Sequence, residues 1–131
     1  MSYEKRVRQV RVVLALLMGL AFVVSASAEE QQLTDLTPLV GKWKGWTKAQ
    51  GSTNIAMEME VHSDGSYVAV VYLRGGARNY TGTFSLIDGK LRFKSDQGRL
   101  GGYSLSTENG KRILKGGPDD GSSISELEGM K

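Results

Sequence analysis

Cysteine is absent from all 131 residues. That excludes disulfides, a thiolate nucleophile and the cysteine acylation that anchors bacterial lipoproteins. Histidine occurs once, as His62, without the serine and aspartate setting of a nucleophilic triad. No apolar run reaches the roughly 18 residues of a membrane span, since the stretch Val12 to Val24 has only 13. Hydrophobic packing and sheet hydrogen bonds must therefore hold the fold, and neither a catalytic residue nor a metal or cofactor is expected.

The short apolar run follows Lys5, Arg6, Arg8 and Arg11 and precedes Ala26-Ser27-Ala28. Basic start, apolar middle and small-residue cleavage site, in that order, make a secretory signal. Residues 1–28 are read as a cleaved signal helix and residues 29–131 as one domain. The expected location is periplasmic or secreted, with no stable membrane anchor after cleavage. The signal holds 4 of the 17 Lys and Arg and 1 of the 14 Asp and Glu. Thirteen of each sign remain, so a basic-surface case for nucleic acid lapses.

Beyond the signal, the chain is punctuated by turns. Thr37-Pro38-Leu39-Val40 predicts one helical turn capped by Thr37, after a frayed leader over residues 29–32. Turn pairs then recur at Gln50-Gly51, Asp64-Gly65, Gly75-Gly76, Asp88-Gly89, Gln97-Gly98, Asn109-Gly110 and Gly117-Pro118-Asp119. Seven turns delimit eight short strands, the spacing of an all-β sandwich or barrel. A meander with one apolar face favours closure into a small up-and-down antiparallel β-barrel, because closure removes both exposed edges. Two-residue loops fix the registers. They pair Val61 with Val68 and Met59 with Val70, Leu86 with Leu91 and Phe84 with Phe93, and Leu105 with Leu114. The last segment, Ser123 to Leu127, alternates poorly and reads equally as a frayed edge or a short helix.

Gly41-Lys42-Trp43 stands at the mouth of the first strand. Together with the helical turn, the meander and the strand count, it resembles the opening of the lipocalin-like (calycin) domains, here in an exported bacterial protein. The resemblance covers about residues 36 to 115. It implies that Gly41 turns the chain into the first strand, that Trp43 plugs one end of the barrel, and that an arginine from near the last strand packs across the Trp. The final strand has no arginine. Arg112 is the nearest, and it is expected to point outward. Avidin-type proteins also open with Gly-Lys-Trp but surround their ligand with further tryptophans; only Trp43 and Trp46 occur here, which speaks against biotin.

The expected function is binding of a small apolar or amphipathic molecule in the barrel, lined by Met57, Tyr72, Tyr80, Phe84 and Tyr103. Three inward tyrosines need hydrogen-bond partners that a dry barrel does not supply. Gly82 and Gly101, also inward, are expected to leave space. The alternative is a filled barrel acting as an envelope interaction or inhibitor module, or a homodimer, through Trp46, Tyr67, Val71 and Leu73 on its outer face. A bulge at Gly45 would return Trp46 to the core. Met57-x-Met59 beside His62 has the residue types of a copper site, but His62 lies on the opposite face, and core filling explains both methionines. Glu58 and Glu60 form a solvated strand face.

Overall fold

The computed structural model describes residues 29–130, and the expected signal helix over residues 1–28 lies outside them. The described strands are β1 (Glu29–Glu30), β2 (Gly41–Ala49), β3 (Ile55–Val61), β4 (Ser66–Leu73), β5 (Gly76–Ile87), β6 (Lys90–Ser95), β7 (Leu100–Glu108), β8 (Lys111–Pro118) and β9 (Ser123–Gly129). Each strand from β2 to β9 pairs antiparallel with the next, and β9 returns to β2. The result is a closed eight-stranded up-and-down barrel. Five of the seven expected turns fall wholly between its strands; Gly76 already opens β5, and Gly117-Pro118 end β8, so that the last turn begins only at Asp119.

Three elements toward the chain's ends differ from expectation. The leader is tied down, because β1 pairs Glu29 with Thr107 and Glu30 with Ser106 on the part of β7 that runs past β6. The helical turn is a 3-10 turn, Thr37–Leu39, with Leu36 at its N-cap. Thr37 donates its backbone N–H to the Asp35 carboxylate at 2.8 Å instead of capping the turn itself. At the other end β9 is neither frayed nor helical: it pairs along both sides, with β2 and with β8, and so closes the barrel.

Two of the three hairpin registers follow from their dipeptides. Asp88 and Asn109 have φ of 54° and 52°, and the glycine after each has φ of 76°. Positive φ at both central positions is the type I′ turn, and Phe84 duly meets Phe93 and Leu105 meets Leu114. Asp64-Gly65 behaves otherwise. Only Gly65 has positive φ, at 90°; Gly65 donates to the His62 carbonyl, and His62 donates to the Ser66 carbonyl at 2.8 Å. That is a three-residue loop, Ser63 to Gly65, and it shifts the register by one, so Val61 meets Tyr67 and Met59 meets Ala69.

The shift turns β4 over, because strand side chains alternate with period two. Tyr67, Ala69 and Val71 are buried inside and Leu73 packs against the core, whereas Val68 and Tyr72 are exposed on the outside. Thus Tyr72, Val68 and Val70 leave the expected interior, and Tyr67, Val71 and Leu73 leave the expected outer patch. Asp64 stabilises the longer loop by accepting from the Ser66 backbone and hydroxyl at 2.9 and 2.6 Å. Gly65 in turn accepts the Phe84 N–H at 2.8 Å, fastening the loop to β5.

One end of the barrel is sealed. Trp43 and Leu39 are fully buried, Leu33 nearly so, and the Trp43 indole N–H donates to the Leu39 carbonyl at 2.8 Å. Arg112 lies over the Trp43 ring, 4.8 Å from its centroid, and donates to the Pro38 carbonyl at 2.6 Å. Arg112 shares parity with Leu114 and therefore points inward, contrary to expectation. The guanidinium thus clamps the ring between a cation–π contact and the turn that leads into β2. Gly41, with φ of 129°, takes a backbone conformation that side chains rarely adopt as the chain enters β2.

Candidate ligand-binding cavity

The seal fills only half the barrel. Toward the opposite end a cavity of about 390 Å³ opens among the β2–β3, β4–β5, β6–β7 and β8–β9 connections. One wall is apolar, with Ile55, Met57 and Met59 from β3 and Ala69, Val71 and Leu73 from β4. The other is rich in hydroxyls, with Thr47 from β2, Tyr103 from β7, and Ser123 and Ser125 from β9. The poor alternation of β9 has this cause: its inward positions carry serines that face a cavity.

An aromatic floor separates cavity from plug. Tyr67, Phe84, Phe93 and Tyr103 pack with ring centroids 4.9 to 6.3 Å apart, in tilted and edge-on arrangements. Gly82 and Gly101 do not leave the space expected of them. A Cβ on Gly82 would come within 2.6 Å of the Tyr67 hydroxyl, and one on Gly101 would strike the Phe93 ring. Both glycines are recesses already occupied by aromatic rings.

The polar groups divide into satisfied and open ones. Ser125 is buried and donates to the Thr47 hydroxyl at 2.9 Å, which donates to the Ile124 carbonyl at 3.3 Å. Burial pushes the Tyr103 phenol up, opposed in part by a hydrogen bond with Ser125. Tyr67 is 6% exposed, and its hydroxyl has no hydrogen-bond partner among the described residues. No side-chain polar atom there is both sealed and unpaired, so this hydroxyl opens into the cavity. Burial, with Tyr103 and Asp96 adding to it, pushes its pKa up to about 12.

Of the residues expected to line a site, Met57, Tyr80, Phe84 and Tyr103 do line this cavity. Tyr72 does not. It stands outside, 45% exposed, donating to the Glu58 carboxylate at 3.1 Å, a bond that raises its pKa. Tyr67, Val71 and Leu73, expected on the surface, are lining residues instead. Sequence reasoning also missed Arg78 and Arg99 at the mouth. A signal for Arg78 was present, because it shares strand parity with Tyr80 and Phe84.

Trp46 does face outward. The β2 registers run unbroken across Gly45 toward both β3 and β9, so there is no bulge, and Trp46 lies half-buried between Ala56 and Glu126. A Cβ on Gly45 would collide with the β9 backbone, and close strand approach accounts for this glycine. His62 is exposed on its loop, 4.0 Å from Glu60, while Met57 and Met59 point into the barrel. Among the described residues no three His, Cys, Asp or Glu side chains gather into a metal-binding group. Comparison with protein families, curated proteins and solved structures gives no match to this chain.

Proposed function

We propose that this protein is an exported lipocalin-like carrier that binds a small apolar or amphipathic molecule inside its barrel, at the end opposite Trp43. The observation that carries the reading is the 390 Å³ cavity, of the size of known small-molecule sites and lined mostly by apolar side chains with a few convergent hydroxyls. Burial of an apolar ligand body supplies roughly 25 cal/mol per Å² removed from water. The Tyr67 hydroxyl is available to orient a polar group. Lipocalin-like kinship is supported by Gly41-Lys42-Trp43 at the first barrel strand and by the arginine across the tryptophan, here Arg112.

The test is a small neutral fluorophore, 1-aminoanthracene, titrated with the protein. Its emission should rise and saturate at one site per chain. Ala69→Phe, which fills the cavity from β4, should abolish the rise while circular dichroism keeps its β signature. Leu73→Trp, nearer the mouth, serves if the first variant does not fold. Unchanged emission with the wild-type protein, or emission that both variants leave intact, would overturn the carrier reading.

A second reading, an envelope interaction module or homodimer, draws on the outer face. Val68 is 38% and Tyr72 45% exposed on β4, with half-buried Trp46 on β2. Its expected signature is a molar mass that rises with concentration and returns to one chain in Trp46→Ala. A constant single-chain mass rejects the homodimer.

A further inference from the structure

The charged side chains that line the cavity are of one sign. Among the lining residues the charged side chains are Arg78 and Arg99, and no aspartate, glutamate or lysine accompanies them. Arg78 is exposed on the inward-parity face of β5 and makes no ion pair or side-chain hydrogen bond among the described residues. Arg99 donates to the Ser122 hydroxyl at 2.6 Å and lies 3.7 Å from Asp120, bridging the β6–β7 and β8–β9 connections. Asp96, in the same β6–β7 connection, accepts the Thr81 hydroxyl of β5 and is not a lining residue. The Arg78 guanidinium, hydrated at the rim of an apolar cavity and held by no ion pair among the described residues, is free to meet a ligand. It suits recognition of an anion whose tail enters the barrel.

The geometry points to a single-chain organic acid as the ligand, its chain among Met57, Met59, Val71 and Leu73 and its anionic head at Arg78, with Arg99 beside it. This rests on the carrier reading and names its ligand class. The planar fork of an arginine matches a carboxylate or sulfonate in a bidentate pair, and such charge-assisted bonds are the strong ones. Volume limits the chain. With about 30 Å³ per water-sized group, the cavity of about 390 Å³ holds roughly a dozen non-hydrogen atoms. One chain of about ten carbons fits.

Calorimetry with decanoate, decanol and decyltrimethylammonium separates the possibilities, since the three share a tail and differ in the head. Decanoate should bind about tenfold or more tighter than decanol, the effect of one charge-assisted hydrogen bond, and decyltrimethylammonium weakest. Arg78→Gln should remove most of the decanoate advantage, and Arg78→Gln with Arg99→Gln all of it, with decanol binding unchanged in both. Equal binding of decanoate and decanol, or decanoate binding indifferent to both substitutions, overturns the acid assignment and leaves the carrier reading standing. No binding of any of the three overturns both. Co-sedimentation with phosphatidylglycerol vesicles in the absence of decanoate binding would also overturn the assignment, since a lipid surface would then be what the arginines meet.

Discussion

Tyr67 concentrates the chemistry of the barrel in one side chain. Its ring packs on Phe84 at 4.9 Å, it fills the recess of Gly82, and its hydroxyl faces the cavity. An unfolded tyrosine loses its proton near pH 10, whereas the native Tyr67 keeps its own to about pH 12. Between those values the unfolded state binds fewer protons, so stability falls as pH rises; the contribution is whole below pH 10 and gone above 12. At about 1.4 kcal/mol per pH unit the loss across that window is about 3 kcal/mol. Urea unfolding at pH 9 and pH 11.5 should show about 2 kcal/mol of it, and Tyr67→Phe should reduce the drop. The remainder is shared by Tyr103, whose phenol burial also pushes up, by Tyr72, raised by its bond to Glu58, and by Lys115, raised by its bonds to Glu108 and Glu126. An undiminished drop in Tyr67→Phe would place the effect elsewhere.

At the scale of elements, the β3–β4 hairpin decides what the cavity is made of. With φ of 90° at Gly65, an alanine there would adopt a left-handed conformation that costs about 1–2 kcal/mol. Its Cβ would also come within 2.9 Å of the Phe84 carbonyl. Gly65→Ala should lower the urea midpoint accordingly, while Gly51→Ala, with open space around its Cβ, lacks that second contribution. Equal losses in the two variants would mean that the fastening to β5 contributes nothing. This hairpin also marks where the sequence was legible and where it was not. The barrel's strand count, most turn positions and two registers were readable from Gly-bearing turn pairs between alternating runs, although Gly117-Pro118 proved to be the end of β8. The third was not, because Asp64-Gly65 suits either a two-residue type I′ turn or the end of a three-residue loop, and β4 is apolar on both faces. Tyr67, Ala69, Val71 and Leu73 fit the interior as well as Val68, Val70 and Tyr72 do. The local Asp64–Ser66 bonds and two contacts distant in sequence, Gly65 with Phe84 and Tyr67 with Gly82, choose between them. The hydroxyl wall was hidden for a related reason, since serines at the inward positions of β9 read as a broken strand.

The whole molecule is a barrel with two unlike ends. Leu33, Leu39, Trp43 and Arg112 close one end, joined by the 3-10 turn and β1. The other carries the cavity, with its thioether and aliphatic wall, its hydroxyl wall and its arginine mouth. The carrier account needs a ligand inside that cavity. Met57 and Met59 line it, and Met130, 47% exposed beyond β9, is not among the lining residues. Methyl NMR of the protein labelled at its methionine methyls, titrated with decanoate, reads all three positions at once. The account predicts saturable shifts at Met57 and Met59 with Met130 unmoved. Shifts confined to Met130, or none at the two cavity methionines, would contradict it.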